Sequence, residues 1–339
     1  MPGLTGDDIE RLFEPLELYE KLGLAVSGGP DSLALMLLAA QWARRSGRPE
    51  VFVYTVDHGL RPEAAAEAAM VVREADALGL PARSLCWEGD KPATGIQAAA
   101  RVARYRLMAE AMERDGVAIL ATAHHLADQA ETVLMRLAHG SGIEGLRGMD
   151  ALSLVEGCDV VRPLLGVRPD VLRQVVSEAG LAPAYDPSNA DENYERVRWR
   201  LMLPALEAMG ITLERLGTFA RRMDEASQLV RSAAGDAYLE MVTPRSSARV
   251  ELDASRFALQ NSAVATRVLA DVLELVAGDG RAAPLGPVEL LARRLRQLTP
   301  LKGITLHGCF VSSNGEAILV QKEKPRRAVS KRKSSNTAN

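Results

Sequence analysis

The fold is decided by the stretch Leu24-Ala25-Val26-Ser27-Gly28-Gly29-Pro30-Asp31-Ser32. An apolar segment runs into a glycine-rich turn here, and the helical pattern of residues 33–38 follows directly. The two glycines let the backbone turn sharply and bring N–H groups close to an anion. The serine hydroxyls and the positive end of the following helix add attraction for negative charge. The stretch therefore predicts a phosphate-binding loop.

The carboxylate of Asp31 stands inside this turn, where it would repel phosphate. A magnesium ion between carboxylate and phosphate resolves the conflict. The common nucleoside-triphosphatase loop, G-x-x-x-x-G-K-[ST], occurs nowhere in the sequence, which disfavours a kinase or a motor. The turn instead resembles the loop of the N-type ATP pyrophosphatases, which cleave ATP between its α- and β-phosphates. A glycine-rich turn kept only for packing is the alternative.

The first half of the chain alternates apolar strands with helical stretches. Strands are predicted at residues 22–26, 51–56, 82–87 and 117–121, and helices at 33–46, 62–78 and 96–114. This alternation predicts an α/β fold, a doubly wound parallel sheet whose ligands bind beyond the carboxyl ends of the strands. We place this first domain at residues 18–190.

The second half of the chain has a different, mainly helical pattern. Helical stretches at 201–208, 213–234 and 262–277 predict a mainly helical second domain over residues 191–321. Alternating residues at 304–307 and 317–320, around Asn314-Gly315, predict a late β-hairpin. Residues 322–339 are basic and are predicted to be disordered.

Composition favours a soluble cytoplasmic enzyme. The chain has 339 residues, of which 47% are hydrophobic, enough for two cores. Its three cysteines, Cys86, Cys158 and Cys309, are far apart and form no C-x-x-C motif, so neither disulfides nor a metal cluster is indicated. The acidic first 20 residues do not fit a secretory signal, and no segment is apolar enough to span a membrane. The net charge of −3 does not itself indicate nucleic-acid binding, although it can hide local basic clusters.

Polar residues follow two further predicted strands. Asp57 and His58 end the second strand, where an acidic residue often meets a ribose or adenine. A role in the turn is the alternative. His124 and His125 end the fourth strand, and His124, Asp128 and Glu131 share one face of the next helix at spacing i, i+4, i+7.

That face could bind magnesium and take a proton from an attacking amine. A solvated helix face with a capping histidine is the alternative.

Arginines supply the other candidates. Arg101, Arg104 and Tyr105 share a helix face that could hold a phosphate backbone or stack on a base, or could simply be solvated.

These segments together resemble the ordered motifs of the tRNA(Ile)-lysidine synthetases, a family of N-type ATP pyrophosphatases in the PP-loop superfamily. The matching stretches are Ser27-Gly28-Gly29-Pro30-Asp31-Ser32, Val56-Asp57-His58-Gly59-Leu60-Arg61, Ala100-Arg101-x-x-Arg104-Tyr105-Arg106, His124-His125-x-x-Asp128-Gln129-x-Glu131-Thr132, Gly140-Ser141-Gly142-x-x-Gly145-Leu146, Arg162-Pro163-Leu164-Leu165, Asp186-Pro187-Ser188-Asn189 and Arg196-x-Arg198-x-Arg200. Two positions depart from the family: Ala127 replaces the first Asp of His-His-x-Asp-Asp-Gln, and Val197 replaces an Asn. The resemblance is dense over residues 20–205.

The resemblance implies a Rossmann-like PP-loop ATPase domain and an RNA-modifying ligase. ATP would adenylate the C2 oxygen of the wobble cytidine in tRNA(Ile) with a CAU anticodon, and the ε-amine of free L-lysine would then displace AMP. The loop residues Ser27, Gly28, Gly29, Pro30 and Ser32, with Asp57 and His58, would bind ATP.

The remaining candidates are assigned in the same way. Asp31 and Asp128 would hold Mg²⁺, and Asp31, His124, His125, Asp128 and Glu131 would form the catalytic group. Arg101, Arg104, Tyr105, Arg196, Arg198 and Arg200 would contact the tRNA. The choice between the two histidines as proton acceptor, and the formation of a homodimer, are left open.

Other functions compete with this one. A tRNA thiolase needs cysteines to carry sulfur or a cluster, and the absence of C-x-x-C disfavours it. An ATP-dependent synthetase that adenylates another carbonyl oxygen needs an ammonia source when it is coupled to an amidotransferase, and no glutaminase-like segment precedes the loop. A non-catalytic nucleotide sensor would have no use for the His/Asp/Glu face.

Overall fold

The structure is a computed structural model that describes residues 3–89, 91–92, 94–184, 191–246 and 248–323. The chain divides into two compact units, Met1–Met223 and Asp224–Asn339. The domain bounds predicted from the sequence, 18–190 and 191–321, remain predictions. The Asp186-Pro187-Ser188-Asn189 stretch and residues 324–339 of the basic tail lie outside the described residues.

A six-stranded sheet forms the centre of the first unit. Its strands are β1 (Lys21–Ala25), β2 (Glu50–Asp57), β3 (Ala82–Cys86), β4 (Ile119–Ala121), β5 (Leu152–Val155) and β6 (Cys158–Val161), in the order β3-β2-β1-β4-β6-β5. All neighbours pair in parallel except β5, which is antiparallel to β6. The predicted parallel doubly wound sheet is therefore confirmed. Strands β5 and β6 lie beyond the four that the sequence predicted.

Helices connect and cover these strands. They are α1 (Gly6–Phe13), α2 (Pro30–Ala43), α3 (Ala64–Ala77), α4 (Ile96–Asp115), α5 (Leu126–Ala138), α6 (Ile143–Leu146), α7 (Pro169–Glu178), α8 (Glu195–Ala208) and α9 (Leu213–Met241), the last of which continues into the second unit. Helix α2 is apolar on nearly all sides because it is packed in the core, where Trp42 stacks on Phe13 at a ring-centroid distance of 5.2 Å. Leu24 of β1 and Leu33 of α2 belong to the same core and have no exposed surface.

The direction of the winding reverses between β1 and β4. Helices α2 and α3 carry the chain from β1 to β2 and β3, and α4 then carries it back past β1 to β4. In an open α/β sheet a crevice forms at the carboxyl ends of the strands on either side of such a reversal. Residues 26–29 and 122–125, which follow β1 and β4, are therefore brought to one place.

The second unit combines helices with a larger sheet than the sequence predicted. Strands β7 (Val242–Ser246), β8 (Arg249–Asp253), β9 (Leu301–Leu306), β10 (Cys309–Ser313) and β11 (Ala317–Lys322) form an antiparallel sheet in the order β7-β8-β11-β10-β9. Helices α10 (Ala254–Leu259), α11 (Ser262–Ala277) and α12 (Leu285–Leu295) supply much of the remaining core. None of the helices in the described part of the chain combines the length and apolar composition needed to cross a bilayer.

The predicted pairing of residues 304–307 with 317–320 is wrong. Strand β10 lies between β9 and β11, and Val311 faces Ile304 on one side and Val320 on the other. The hairpin at Asn314-Gly315 joins β10 to β11, with Asn314 Oδ1 accepting the backbone N–H of Ala317 at 2.7 Å. His307 and Gly308, both at positive φ, form the additional turn that precedes β10. Three polar or small residues in Cys309-Phe310-Val311-Ser312-Ser313 obscured that strand in the sequence.

A polar cluster at the end of α4 ties the first three strands together. The carboxylate of Asp115 accepts hydrogen bonds from Tyr54 Oη at 3.0 Å and from Arg83 Nε at 2.7 Å. Its backbone oxygen accepts one from Lys21 Nζ at 2.8 Å. The hydrogen bond from Arg83 lowers the pKa of Asp115, and the bond from Tyr54 adds to this effect, against the opposing influence of burial.

We expect Asp115→Asn to lower the free energy of unfolding of the first unit by about 1–3 kcal/mol at pH 7. Because the folded-state pKa is depressed, the ionised carboxylate stabilises the fold above its unfolded pKa of about 3.9 and loses that effect as pH falls through the folded pKa. The difference between wild type and variant should therefore shrink in acid. Urea unfolding followed by tryptophan fluorescence reports this unit alone, since Trp42, Trp87 and Trp199 all lie in it.

The matched control is Asp76→Asn, which changes an exposed carboxylate near the end of α3. It should alter the stability by less than about 0.5 kcal/mol. A difference between wild type and Asp115→Asn that stays constant from pH 7 to pH 3 would contradict the role assigned to the charge.

Candidate active site

The glycine-rich loop closes on itself between β1 and α2. Ser27 N donates to Ser32 Oγ at 3.2 Å, and Ser32 Oγ donates to Gly29 O at 3.0 Å. Gly29 is the N-cap of α2, and Pro30 occupies the first turn, where a missing N–H breaks no helical bond. The start of this helix therefore faces the crevice with its positive end, as an anion site requires.

Gly28 is the position in the loop that excludes a side chain. Its φ of +86° is unfavourable for any residue with a Cβ, and a Cβ built there would lie 3.2 Å from Met70 Cε. Its carbonyl accepts a hydrogen bond from Ala184 N at 2.9 Å. The conformation of the loop therefore depends on glycine at this point.

His125 joins the loop to helix α5. It caps the helix, since its Nδ1 accepts from Asp128 N at 3.4 Å while its own N–H donates to Asp128 Oδ2 at 3.0 Å. Its other ring nitrogen, Nε2, lies 3.5 Å from Asp31 Oδ2. Burial alone lowers the pKa of His125, but the hydrogen bond with Asp31 and the charges of Asp128 and Glu131 outweigh it, so the pKa is raised. The structure thus brings together three of the predicted catalytic residues.

His124 has the opposite character from its neighbour. It is half-buried, and its Nδ1 lies 2.9 Å from Thr122 Oγ1. Burial lowers its pKa to about 4, the charge of Asp128 opposes this, and the charges of Arg162, Arg196 and Arg101 lower it further. His124 is therefore a neutral imidazole at neutral pH.

Glu131 is held between two arginines of α8. It has no exposed side-chain surface, and its Oε1 accepts from Arg200 Nε at 2.7 Å while its Oε2 lies 3.1 Å from Arg196 Nε. Arg200 Nη2 is also 3.7 Å from Asp128 Oδ1. Burial raises the pKa of Glu131, and the hydrogen bond from Arg200 opposes it. This arrangement gives Glu131 a positioning role.

The predicted tRNA-binding arginines fall into two groups. Arg196 and Arg200 face the acids of α5, and Arg196 Nη2 also donates to Thr132 Oγ1 at 3.1 Å. Arg198 is exposed and donates to the backbone oxygen of Glu192 at 2.8 Å. Arg101 and Arg104 are exposed on α4.

The contact of Tyr105 with tRNA stays a prediction, which its burial disfavours. Tyr105 is only 4% exposed and packs in the core with Met108 and Leu120, while the guanidinium of Arg101 lies over its ring at 5.1 Å. So little exposed surface does not suit a residue that stacks on an RNA base, because the apolar ring is already buried in the fold.

Asp57 and His58 both support the turn after β2. Asp57 Oδ1 accepts the backbone N–H of Gly59 at 2.8 Å, and His58 Nδ1 accepts that of Leu60 at 3.4 Å. These contacts agree with the turn alternative that the sequence left open. Since β2 is next to β1, both residues remain at the edge of the sheet that carries the loop.

Two residues of α5, Gln129 and Arg136, have roles that the sequence did not reveal. Gln129 donates to Met149 O at 3.1 Å and accepts from Met149 N at 2.7 Å, which fixes the segment that follows α6. Arg136, two turns further along α5, donates to Gly145 O at 2.8 Å and Gly148 O at 2.7 Å. The spacing i, i+7, which puts Gln129 and Arg136 on one face of a helix, is the sequence feature that could have indicated this shared role.

The family model for the PP-loop domain matches residues 5–206. The chain is 42% identical to the tRNA(Ile)-lysidine synthase of Bradyrhizobium sp. (strain BTAi1), over 96% of each chain, and 42% identical to that of Rhodopseudomonas palustris, also over 96% of each. Among solved structures, the U34-tRNA thiolase of Methanococcus maripaludis aligns with a TM-score of 0.55 and 15% identity, over 65% of this chain and 79% of that one. The last similarity is one of fold.

The loop geometry predicts the effect of Gly28→Ala. The left-handed backbone at this position costs a residue with a Cβ about 1–2 kcal/mol, and the new Cβ would crowd Met70. We therefore expect the loop to shift and the affinity for ATP to fall about tenfold or more. Isothermal titration calorimetry with ATP measures the affinity.

Gly47→Ala is the matched control, since Gly47 has a φ of +83° with nothing within 4 Å of the added Cβ. It should lose a comparable amount of stability and keep its ATP affinity. Equal ATP affinities for Gly28→Ala and wild type would contradict the assignment of the loop.

The two adjacent histidines should titrate far apart. In NMR titrations of the ring signals we expect His125 to take up its proton above pH 6.5 and His124 to stay neutral down to about pH 4. Because its folded-state pKa is raised, His125 stabilises the fold most below its unfolded pKa and loses that effect as pH rises through the folded pKa. Asp31→Asn should lower the pKa of His125 more than that of His124. Indistinguishable midpoints would show that the two environments are not distinct.

Proposed function

The chain belongs to the PP-loop family and, within it, to the tRNA(Ile)-lysidine synthases, and we propose that it attaches lysine to the C2 position of the wobble cytidine in tRNA(Ile) with a CAU anticodon. ATP is converted to AMP and pyrophosphate. The observation that carries the proposal is the contact between the loop carboxylate Asp31 and the helix-capping His125, which joins a phosphate site to a proton-accepting site.

In the first step, the C2 oxygen of the cytidine attacks the α-phosphorus of ATP and pyrophosphate leaves. Its negative charge is met by the N–H groups of the loop, the hydroxyls of Ser27 and Ser32 and the positive end of α2. Gly28 and Gly29 allow the phosphates to approach the backbone. The resulting adenylate makes the C2 oxygen a good leaving group.

In the second step, the ε-amine of lysine attacks C2, the C–N bond forms, and AMP departs with the former C2 oxygen. A lysine ammonium has a pKa of about 10.4 and must lose a proton first. We assign this proton to His125, which with its raised pKa is a stronger base than His124. His124 then acts as a neutral hydrogen-bonding group beside it.

Mg²⁺ fits this site as an ion shared with the nucleotide. The Asp31 side chain is 36% exposed beside the loop, whereas the Asp128 carboxylate already accepts from His125 N. No group of three or more acidic, histidine or cysteine side chains suited to a metal occurs in the part of the chain that the structure describes. A donor set of one or two carboxylates completed by phosphate oxygens is typical of Mg²⁺. Bound by Asp31, with Asp128 as a second partner, the ion would offset phosphate charge.

The exposed arginines Arg101, Arg104 and Arg198 are the side chains that we propose for tRNA phosphates. Arg196 and Arg200 act instead through Glu131. The cytoplasm, where ATP, free lysine and tRNA occur together, is the compartment that this reaction requires.

The test is a multiple-turnover assay with purified protein, ATP, Mg²⁺, lysine and CAU-anticodon tRNA(Ile). We expect one pyrophosphate per lysine attached, and Asp31→Ala should abolish both products, because it removes the carboxylate shared by the phosphate and imidazole sites. Asp76→Asn should leave the rates unchanged.

A tRNA(Ile) with a GAU anticodon is the substrate control, since it lacks the wobble cytidine. The assignment fails if pyrophosphate release does not need the tRNA, or if turnover continues unchanged when lysine is omitted.

A further inference from the structure

Arg162 is a buried cation with no acidic side chain in salt-bridge contact among the residues that the structure describes. It follows β6 and is 7% exposed, and its Nη1 donates to Asp150 O at 2.7 Å and to Ser153 Oγ at 2.8 Å. Its Nε is buried and has no hydrogen-bond partner among the residues described. The nearby carboxylate of Asp150 pairs with Arg147 at 2.7 Å instead. Burial lowers the pKa of Arg162, as expected for a cation that the fold does not neutralise.

Arg136 donates to two backbone oxygens, and three other arginines with limited exposure have acidic partners. Arg48 pairs with Glu10 and Glu17, Arg168 with Asp170 and Glu214, and Arg267 with Asp271 and Glu274. A buried charge without a counter-charge destabilises a fold. Arg162 therefore has the properties of a side chain whose partner is an anion that binds later.

The position of Arg162 puts it beside the site. Strands β4 and β6 pair in parallel with Ala121 opposite Val161, so Thr122 and Arg162 are next in register at the carboxyl edge. Thr122 N donates to Val161 O at 2.9 Å, and Thr122 Oγ1 lies 2.9 Å from His124 Nδ1. The charge of Arg162 is one of three that depress the pKa of His124, which places it in the same electrostatic environment.

We infer that Arg162 forms a carboxylate subsite and binds the α-carboxylate of the lysine substrate, an inference that rests on the proposed function. The planar guanidinium fork matches a carboxylate, and the unpartnered Nε lies on the edge of the fork not used by Nη1. Because only 7% of Arg162 is exposed, it suits contact with the end of a small molecule, whereas the phosphates of a polymer suit exposed arginines such as Arg101. The positive charge of Arg162 also repels the ε-ammonium, which directs that end of lysine towards the acids Asp31 and Asp128.

The test compares L-lysine with L-lysine amide, whose head group carries no negative charge, in single-turnover reactions on CAU-anticodon tRNA(Ile). For Arg162→Met we expect the KM for lysine to rise about 10- to 100-fold, the range expected for loss of a charge-assisted pair. The preference of wild type for lysine over lysine amide should fall by a similar factor. Release of pyrophosphate in the first step, which does not involve lysine, should stay near the wild-type rate and shows that the variant is folded.

Two further variants support the comparison. Arg162→Lys keeps the positive charge and loses the planar guanidinium fork, so its KM for lysine should rise less than that of Arg162→Met. This variant also provides the test if Arg162→Met does not fold. Arg168→Met removes an arginine that has acidic partners and should change stability without changing the preference for lysine over its amide.

The outcomes are separable. A KM for lysine within about threefold of wild type in both Arg162 variants overturns the inference, since loss of a charge-assisted contact costs more than that. So does a loss of pyrophosphate release with the KM for lysine unchanged, because that result assigns Arg162 to a phosphate of ATP or tRNA. Failure of the wild-type protein to attach lysine at all counts against the proposed function itself.

Discussion

The candidate site depends on the neutralisation of one buried carboxylate. Glu131 has no solvent exposure, and removal of such a charge from water is costly unless cations and hydrogen bonds replace the water. Arg196 and Arg200, one turn apart on α8, supply them and thereby attach α8 to α5. Arg200 also reaches Asp128, whose carboxylate closes the capping box with His125. The orientation of the imidazole towards Asp31 thus rests on an ion pair more than one helical turn away.

The same arrangement explains how two neighbouring histidines differ. The chain direction after β4 places His125 at the start of α5, where it faces Asp31 and Asp128, while His124 is half-buried in a region influenced by arginines. Backbone geometry assigns one imidazole to an acidic environment and the other to a basic one. A pair of titratable groups with pKa values separated in this way suits a reaction that needs a proton acceptor next to a neutral hydrogen-bonding group.

The sequence was sufficient for the fold of the first unit and for the location of the site, because both follow from local patterns. A strand, two glycines and a helix start predict the loop, and parallel strands bring the residues after β1 and β4 to one edge whatever the details of packing. The pairing of charged side chains, in contrast, is not determined by local sequence patterns. The spacing of Arg196 and Arg200 shows a shared helix face, but their pairing with Glu131, 65 or more residues earlier in the chain, is set by how α8 packs on α5. Burial of Tyr105 is likewise a tertiary property that its helical spacing does not reveal.

Ala127, which departs from the family pattern, lies in an apolar environment. Its side chain is 7% exposed and belongs to an apolar cluster with Leu126, Leu203 and Leu216, where α5 meets the helices that follow it. Asp128 and Glu131 instead face the arginines of α8. A carboxylate at position 127 would have to be buried among these leucines or would force them apart, and either is unfavourable without a cation nearby. Ala127 therefore contributes to the apolar packing behind the site, and Asp31, Asp128 and Glu131 are the acidic side chains that remain at the site.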